Sequence, residues 1–293
     1  KKLTDYTIKR HFPEILSGKD QYKIFLNKII ESQAKLVAKW MNVGFIHGVM
    51  NTDNISISGQ TIDYGPCAFM NNFNPNTVYS FIDVYGRYSY GNQPKIMLWN
   101  LSKFAECISF LINQNEEKAS KIILESLSQF PQLFDKFWIK GISEKIGLLE
   151  STKENRKLIE KFLEIMFEQK TDFTFSFRTL SESIDNNERK KVFLSLFKSN
   201  KSITNWYNDW VQRLKKQNSS KEKISKKMKN RNPVFIPRNH LVEKAISEAV
   251  DKCDFSMVDN LVEVLKRPFE SNKNFLSDPP KANEDIKNTF CGT

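Results

Sequence analysis

The stretch His47-Gly48-Val49-Met50-Asn51-Thr52-Asp53-Asn54, followed at a short interval by Ile62-Asp63-Tyr64-Gly65-Pro66, gathers the oxygen donors that hold a hard divalent cation. Magnesium takes oxygen ligands at close octahedral range, so a carboxylate from Asp63 and an amide oxygen from Asn54 would have to converge on one point. Nine positions separate the two in sequence. A tight turn turns that separation into adjacency: Ile55, Ile57 and Ile62 alternate with polar residues about Gly59-Gln60, which reads as a short β-hairpin with Asn54 and Asp63 at its open end. Asp53 is the one nearby carboxylate suited to accept a proton from an attacking hydroxyl. Each residue also has a plainer reading. Asn-Thr-Asp-Asn is ordinary turn chemistry, and His47 serves equally as a packing residue.

The order of these residues follows the catalytic loop of kinase-fold enzymes, H-x-D-x-x-x-x-N, then two short strands and D-F-G. Counted from His47, the Asn falls at Asn54, and the counterpart of D-F-G is Asp63-Tyr64-Gly65. One position departs. Val49 stands where the catalytic Asp belongs, so an ordinary protein-kinase reading loses its base and leaves Asp53 as the candidate.

Elements on both sides must position this loop. Ile24, Phe25, Ile29, Ala34, Leu36, Val37 and Trp40 recur close to helical spacing and predict a helix over 20–41, with Asp20 as its N-cap. The Ile55–Ile62 pair is the one convincing piece of β-structure. Residues 71–94, rich in Asn, Pro, Tyr and Gly, read as an ordered loop. A helix follows Pro94 to about 112, and further helices are expected at 115–128, 131–147, 152–169, 187–198, 202–217, 239–250 and 256–266. From Pro268 the chain carries Pro279-Pro280 and many polar residues and is expected to be extended or loosely tied.

With 293 residues, 40% of them apolar, the chain is long enough to bury a proper core. No run approaches the roughly 18 apolar residues of a membrane span, and no signal-peptide pattern opens the sequence. A soluble protein is expected, cytoplasmic in a bacterium or mitochondrial in a eukaryote. Net charge is +11, but Arg213 to Arg231 holds nine Lys or Arg against Glu222 alone. Without interleaved aromatics or a Gly-rich RNA motif, this run reads as a solvated helix or loop rather than a nucleic-acid face. Cys67, Cys107, Cys253 and Cys291 are scattered, with no CxxC pair and no His at ligand spacing, which argues against structural zinc. Cys107 and Cys253 are expected to be packing residues.

Five segments in the same order resemble the selenoprotein O family of protein adenylyltransferases: GFIHGVMNTDNISISGQTIDYGPCAFM at 44–70, GRYSYGNQP at 86–94, DFTFSFRTLS at 172–181, NPVFIPRNHLVEKAI at 232–246 and TFCGT at 289–293. The resemblance implies a mainly α fold: a protein-kinase-like C-lobe with a short hairpin at the metal site (1–112), a helical C-terminal extension (113–267) and an extended tail (268–293). It implies ATP bound in a reversed orientation and AMP, not phosphate, passed to Ser, Thr or Tyr hydroxyls of proteins. By motif, Asp53 matches the proton acceptor, Asn54 and Asp63 the ligands of magnesium or manganese, and Asp63 also borders the nucleotide. Cys291 matches a position near the C-terminus held by selenocysteine or cysteine, with a redox role for which Cys67 is the candidate partner.

A complete kinase-like fold also needs an N-lobe with a Gly-rich loop, a strand Lys and a helix Glu. The 46 residues before His47 hold none of these, so the chain is expected to be a fragment or a split gene product that binds ATP poorly alone. Two other readings compete: a small-molecule phosphotransferase, which would want Asp where Val49 stands, and a non-catalytic pseudokinase module.

Overall fold

A short helix, α1 (Lys2–His11), precedes the long helix that leads into the candidate site, α2 (Gln21–Val43). The computed structural model describes residues 1–15, 18, 20–150, 152–271 and 275–290. Along α2 the buried positions Phe25, Leu26, Ile29, Ile30, Gln33, Ala34, Val37, Trp40 and Met41 form a wide apolar face, as a helix packed on several neighbours requires. Asp20 does occupy the N-cap position, though its side chain makes no capping hydrogen bond. Gly44 ends the helix in the left-handed conformation, φ +74°, the region a glycine enters without steric cost. A Cβ there would also lie 3.0 Å from the Phe173 ring.

Beyond Gly44 the chain forms β1 (Phe45–Ile46), which pairs antiparallel with β2 (Ala68–Phe69) in the register Phe45–Phe69 and Ile46–Ala68. This sheet is not the hairpin read from Ile55, Ile57 and Ile62. In that segment the ladder narrows to one antiparallel bridge, Ile55–Thr61, around Gly59 at φ +71°. The side chains of α2 take over instead: the Gln33 amide donates to the Ser56 carbonyl at 2.6 Å and the Trp40 indole N–H to the Thr61 hydroxyl at 2.8 Å. A carbonyl that a longer ladder would use is thereby satisfied from the helix. The regular strands clamp the base of a 47–67 excursion, and that excursion holds Asp53, Asn54, Asp63 and Cys67.

Helices α3 (Gln93–Ile112), α4 (Glu116–Leu127) and α5 (Phe130–Lys145) pack around α2. Pro94 and Pro131 sit in the first turns of α3 and α5, where a missing N–H costs nothing. The remaining helices are α6 (Lys153–Gln169), α7 (Phe173–Ser183), α8 (Asn187–Ser195), α9 (Asn200–Lys215), α10 (Lys221–Lys229), α11 (Asn239–Lys252) and α12 (Ser256–Lys266). The fold is mainly helical with a small two-stranded antiparallel sheet. One apolar core runs from Ile8 to Met228. A smaller one joins Phe235, Leu241, Ala245, Met257, Leu261, Val264 and Leu276.

Three helices were not expected from periodicity. α7 is buried along its whole length and so has no polar face to set a period; its Thr179, Ser181 and Ser183 hydroxyls return to carbonyls of the preceding turn. In the basic run, α10 buries only Ile224, Ser225 and Met228 and leaves its lysines in solvent. α1 buries Ile8 alone. The expectation that Cys107 and Cys253 pack inside is corrected: both are exposed. Cys107 falls off the α3 stripe of Ile96, Met97, Leu101, Ala105 and Ile108, and Cys253 follows the end of α11 at φ +53°.

The described part of the tail holds a short 3₁₀ turn, Phe275–Ser277, and is fastened. Thr289 forms a parallel bridge to Ser80, its N–H donating to the Tyr79 carbonyl and its carbonyl accepting from Phe81 N, and Asp285 accepts from the Asn71 amide at 3.1 Å. Among the described residues no helix is long and apolar enough to cross a membrane.

Candidate active site

The loop after β1 is held at almost every turn by side chains from the surrounding helices. Gln93, at the start of α3, accepts from the His47 backbone N–H at 3.0 Å and donates to the Phe45 carbonyl at 3.0 Å, completing β1 as a further strand would. Asn100, two turns on, donates to the Met50 carbonyl at 2.9 Å, and the Tyr88 hydroxyl donates to Asn51 Oδ1 at 2.6 Å. His47 itself is fully buried against Trp40 and Phe45, with its Nε2 2.9 Å from the Ile62 carbonyl. Burial pushes the imidazole below its ordinary range, against the pull of that carbonyl and of the Asp63 charge. His47 thus ties the start of the excursion to its return limb, a structural role.

Gly48 shows how tightly the limbs approach. Its φ is +84°, and a Cβ would meet the Pro66 carbonyl oxygen at 2.8 Å. Gly48→Ala is expected to destabilise the fold by at least about 1–2 kcal/mol, from the left-handed backbone alone. Urea unfolding checks this, and an unshifted midpoint would show that the two limbs are not packed as described.

Asp53 and Asn54 lie in a 3₁₀ turn, Thr52–Asn54. The Asn54 amide donates to the Val49 carbonyl at 3.0 Å, which fixes the side chain and leaves Oδ1 as a free acceptor. Asp63 follows the Ile55–Thr61 bridge on the other limb and adopts φ +55°, one of three non-glycine residues in that region among the described residues. Asp and Asn are the side chains that best tolerate it. The Asp53 and Asp63 carboxylates are both exposed and neither has a hydrogen-bond or ion-pair partner among the described residues. The bridge brings Asn54 and Asp63 to the same end of the hairpin, though no hydrogen bond joins their side chains.

As ligands of a magnesium ion, Asn54 and Asp63 would form a sparse set. Among the described residues no group of three or more His, Cys, Asp or Glu side chains gathers at one point. Two protein oxygens, one amide and one acid, leave most of an octahedron to phosphate and water, which is how magnesium is held beside nucleotides.

Cys67 is half-buried, its thiol 3.5 Å from the Tyr64 carbonyl. Burial pushes that thiol up to about 11, which disfavours the thiolate needed for exchange. Cys291 lies outside the described residues. The Thr289 hydroxyl donates to the Pro66 carbonyl at 2.5 Å, so the described end of the tail touches the residue before Cys67.

Several supporting residues had no sequence signal. Gln93, Asn100 and Tyr88 act from other elements through single hydrogen bonds. Arg238 is buried, pairs with both oxygens of Asp172 at 2.9 and 3.2 Å and donates to Asn71 Oδ1 at 3.0 Å. Asp172 in turn caps α7 through the Phe175 N–H at 2.7 Å. One guanidinium thereby ties α7 to the segment after β2, and the Asn71 amide carries the link on to Asp285 in the tail.

The profile described as "Protein adenylyltransferase SelO" matches residues 1–266. The chain belongs to the SelO family. Among curated proteins, it is 46% identical over 295 residues to "Protein nucleotidyltransferase YdiU" of Clostridium perfringens (strain ATCC 13124), and 45% identical over 296 residues to the protein of the same description from Bacillus mycoides (strain KBAB4). Both matches take in 100% of this chain and 59% of the relative. This SelO-family chain therefore spans about three-fifths of the length of the curated relatives it matches.

Proposed function

We propose that this chain carries the metal- and proton-handling part of a protein adenylyltransferase, which moves AMP from ATP to Ser, Thr or Tyr hydroxyls of proteins. The observation that carries the reading is the pair of unpartnered oxygens, Asn54 Oδ1 and the Asp63 carboxylate, at one end of the Ile55–Thr61 bridge inside a SelO-family loop. In this reading Asn54 and Asp63 hold magnesium, or manganese, and Asp63 borders the nucleotide. Bound metal would supply charge neutralisation at the phosphates, the largest electrostatic contribution such a site can make. The acceptor hydroxyl oxygen bonds to the α-phosphorus, the bond from that phosphorus to the bridging oxygen breaks and pyrophosphate leaves. The hydroxyl proton passes to Asp53. That carboxylate is free and exposed, as a group that must meet a protein substrate has to be.

The test uses a chain of the relatives' full length and ATP labelled at either the α- or the γ-phosphate. Label from the α position alone is expected on protein. Transfer of γ-label instead would replace the proposal with phosphotransfer, and transfer of neither would leave a non-catalytic module.

A further inference from the structure

We propose that the cavity between α2 and α5 is a second binding site, for a small anion carried on a flat aromatic body, with Lys145 meeting the anionic group. The cavity measures about 770 Å³, and neither Asp53, Asn54 nor Asp63 lines it. That volume suits a small molecule. Its walls include the aromatic side chains of Trp40, Phe45, Tyr64 and Phe69. Lys35, Lys39, Lys140, Lys145 and Arg231 also line it, against the single acid Glu144. Arg231 already holds Glu144 at 2.9 Å, while Lys35, Lys39 and Lys140 have no carboxylate partner among the described residues. The surplus is cationic.

Lys145 is the observation that points to a ligand. The residue is only 3% exposed, yet among the described residues its amine meets no carboxylate, carbonyl or hydroxyl. It lies over the rings of Phe177 at 4.3 Å and Phe173 at 5.4 Å. A buried ammonium without an acceptor is costly, and an anion reaching it from the cavity supplies the missing partner. Burial pushes this amine down to about 7, in keeping with a group that waits for a counter-charge. The inference does not use the metal-site reading and can fail or stand without it.

Benzaldehyde, an aromatic aldehyde that bears no phosphate, is the probe, so that labelling reads the free amine and the anion is supplied separately. A neutral lysine amine adds to the aldehyde carbon, water leaves, and borohydride then delivers hydride to the imine carbon, fixing the label as a secondary amine for peptide mapping. An ordinary exposed lysine is neutral in fewer than about one molecule in a thousand at pH 7, so Lys145 is expected to label at least about tenfold faster than the median lysine. Phenyl phosphate should slow labelling of Lys145 in a saturable manner, and inorganic phosphate should do so more weakly. Labelling spread over exposed lysines with Lys145 slow, or no protection by phenyl phosphate, overturns the proposal; equal protection by inorganic phosphate overturns its aromatic half. Lys145→Met should remove the fast label. Should that variant not fold, protection by phenyl phosphate on the unaltered chain still decides the matter.

Discussion

Asp63→Ala is expected to abolish magnesium-dependent ATP binding in a chain of the relatives' full length, whereas Asp53→Ala should keep that binding and lower AMP transfer by about 10²–10⁴-fold, the range for loss of a general base. The two carboxylates suit this comparison because neither has a partner among the described residues, so removing one breaks no hydrogen bond seen there. Asn54 suits it less: its amide also holds the Val49 carbonyl, and a loss there would mix structure with chemistry. Ala is the right replacement at position 63, since Asn would leave an oxygen for the metal. The left-handed backbone at Asp63, φ +55°, adds about 1–2 kcal/mol of strain for Ala, and urea unfolding measures that share separately. Titration with ATP in the presence and absence of magnesium reads the first effect, and α-label transfer reads the second. Metal-dependent binding that survives in Asp63→Ala would remove Asp63 from the metal. Undiminished transfer by Asp53→Ala would remove Asp53 from the proton.

What could be read beforehand and what could not divides along physical lines. The helices over 21–43, 93–112 and 153–169 each bury one face, and a one-sided burial writes its period into the sequence. α7 has no exposed side, so its period is blank. The hairpin shows a different failure: alternation at Ile55, Ile57 and Ile62 is genuine, but the ladder it implies is displaced by Gln33 and Trp40 from a helix that ends before the loop begins. At the proposed site, the spacing from His47 to Asn54 and Asp63 could be read because the kinase-type loop pattern fixes residue types at stated positions. Gln93, Tyr88 and Arg238 could not, because any of several polar side chains can close a hydrogen bond and only the tertiary structure says which one is near. Lys145 was invisible for the same reason: one lysine among many becomes distinctive only when its surroundings are seen.

Those surroundings make Lys145 a burden on the fold at neutral pH. Its amine falls from an ordinary 10.5 to about 7 on burial, so between those values the unfolded chain binds the proton and the folded chain does not. Stability then rises with pH across that window, by about 1.4 kcal/mol per unit where the difference is complete; below about 7 both states are protonated and the whole penalty stands. The ring faces of Phe173 and Phe177 return about 0.5–2 kcal/mol as cation–π attraction, less than the few kcal/mol that such a depression represents. Lys145→Met keeps the apolar stem and discards the charge, and is expected to be more stable than the parent at pH 7 by on the order of 2–3 kcal/mol, since an apolar replacement of a buried charge commonly stabilises. The gap should close by a similar amount as pH approaches 9.5, read from urea midpoints of both proteins at each pH. Parallel curves would mean that the amine reaches water freely and is not held under the rings. A lysine that methionine would replace to the benefit of stability is what a binding site looks like before its ligand arrives, because groups that serve a ligand are commonly retained at a cost to the fold. Phenyl phosphate gives the same point from the other side: if it pairs with the ammonium, it should raise the stability of the parent at pH 7 and leave that of Lys145→Met where it was.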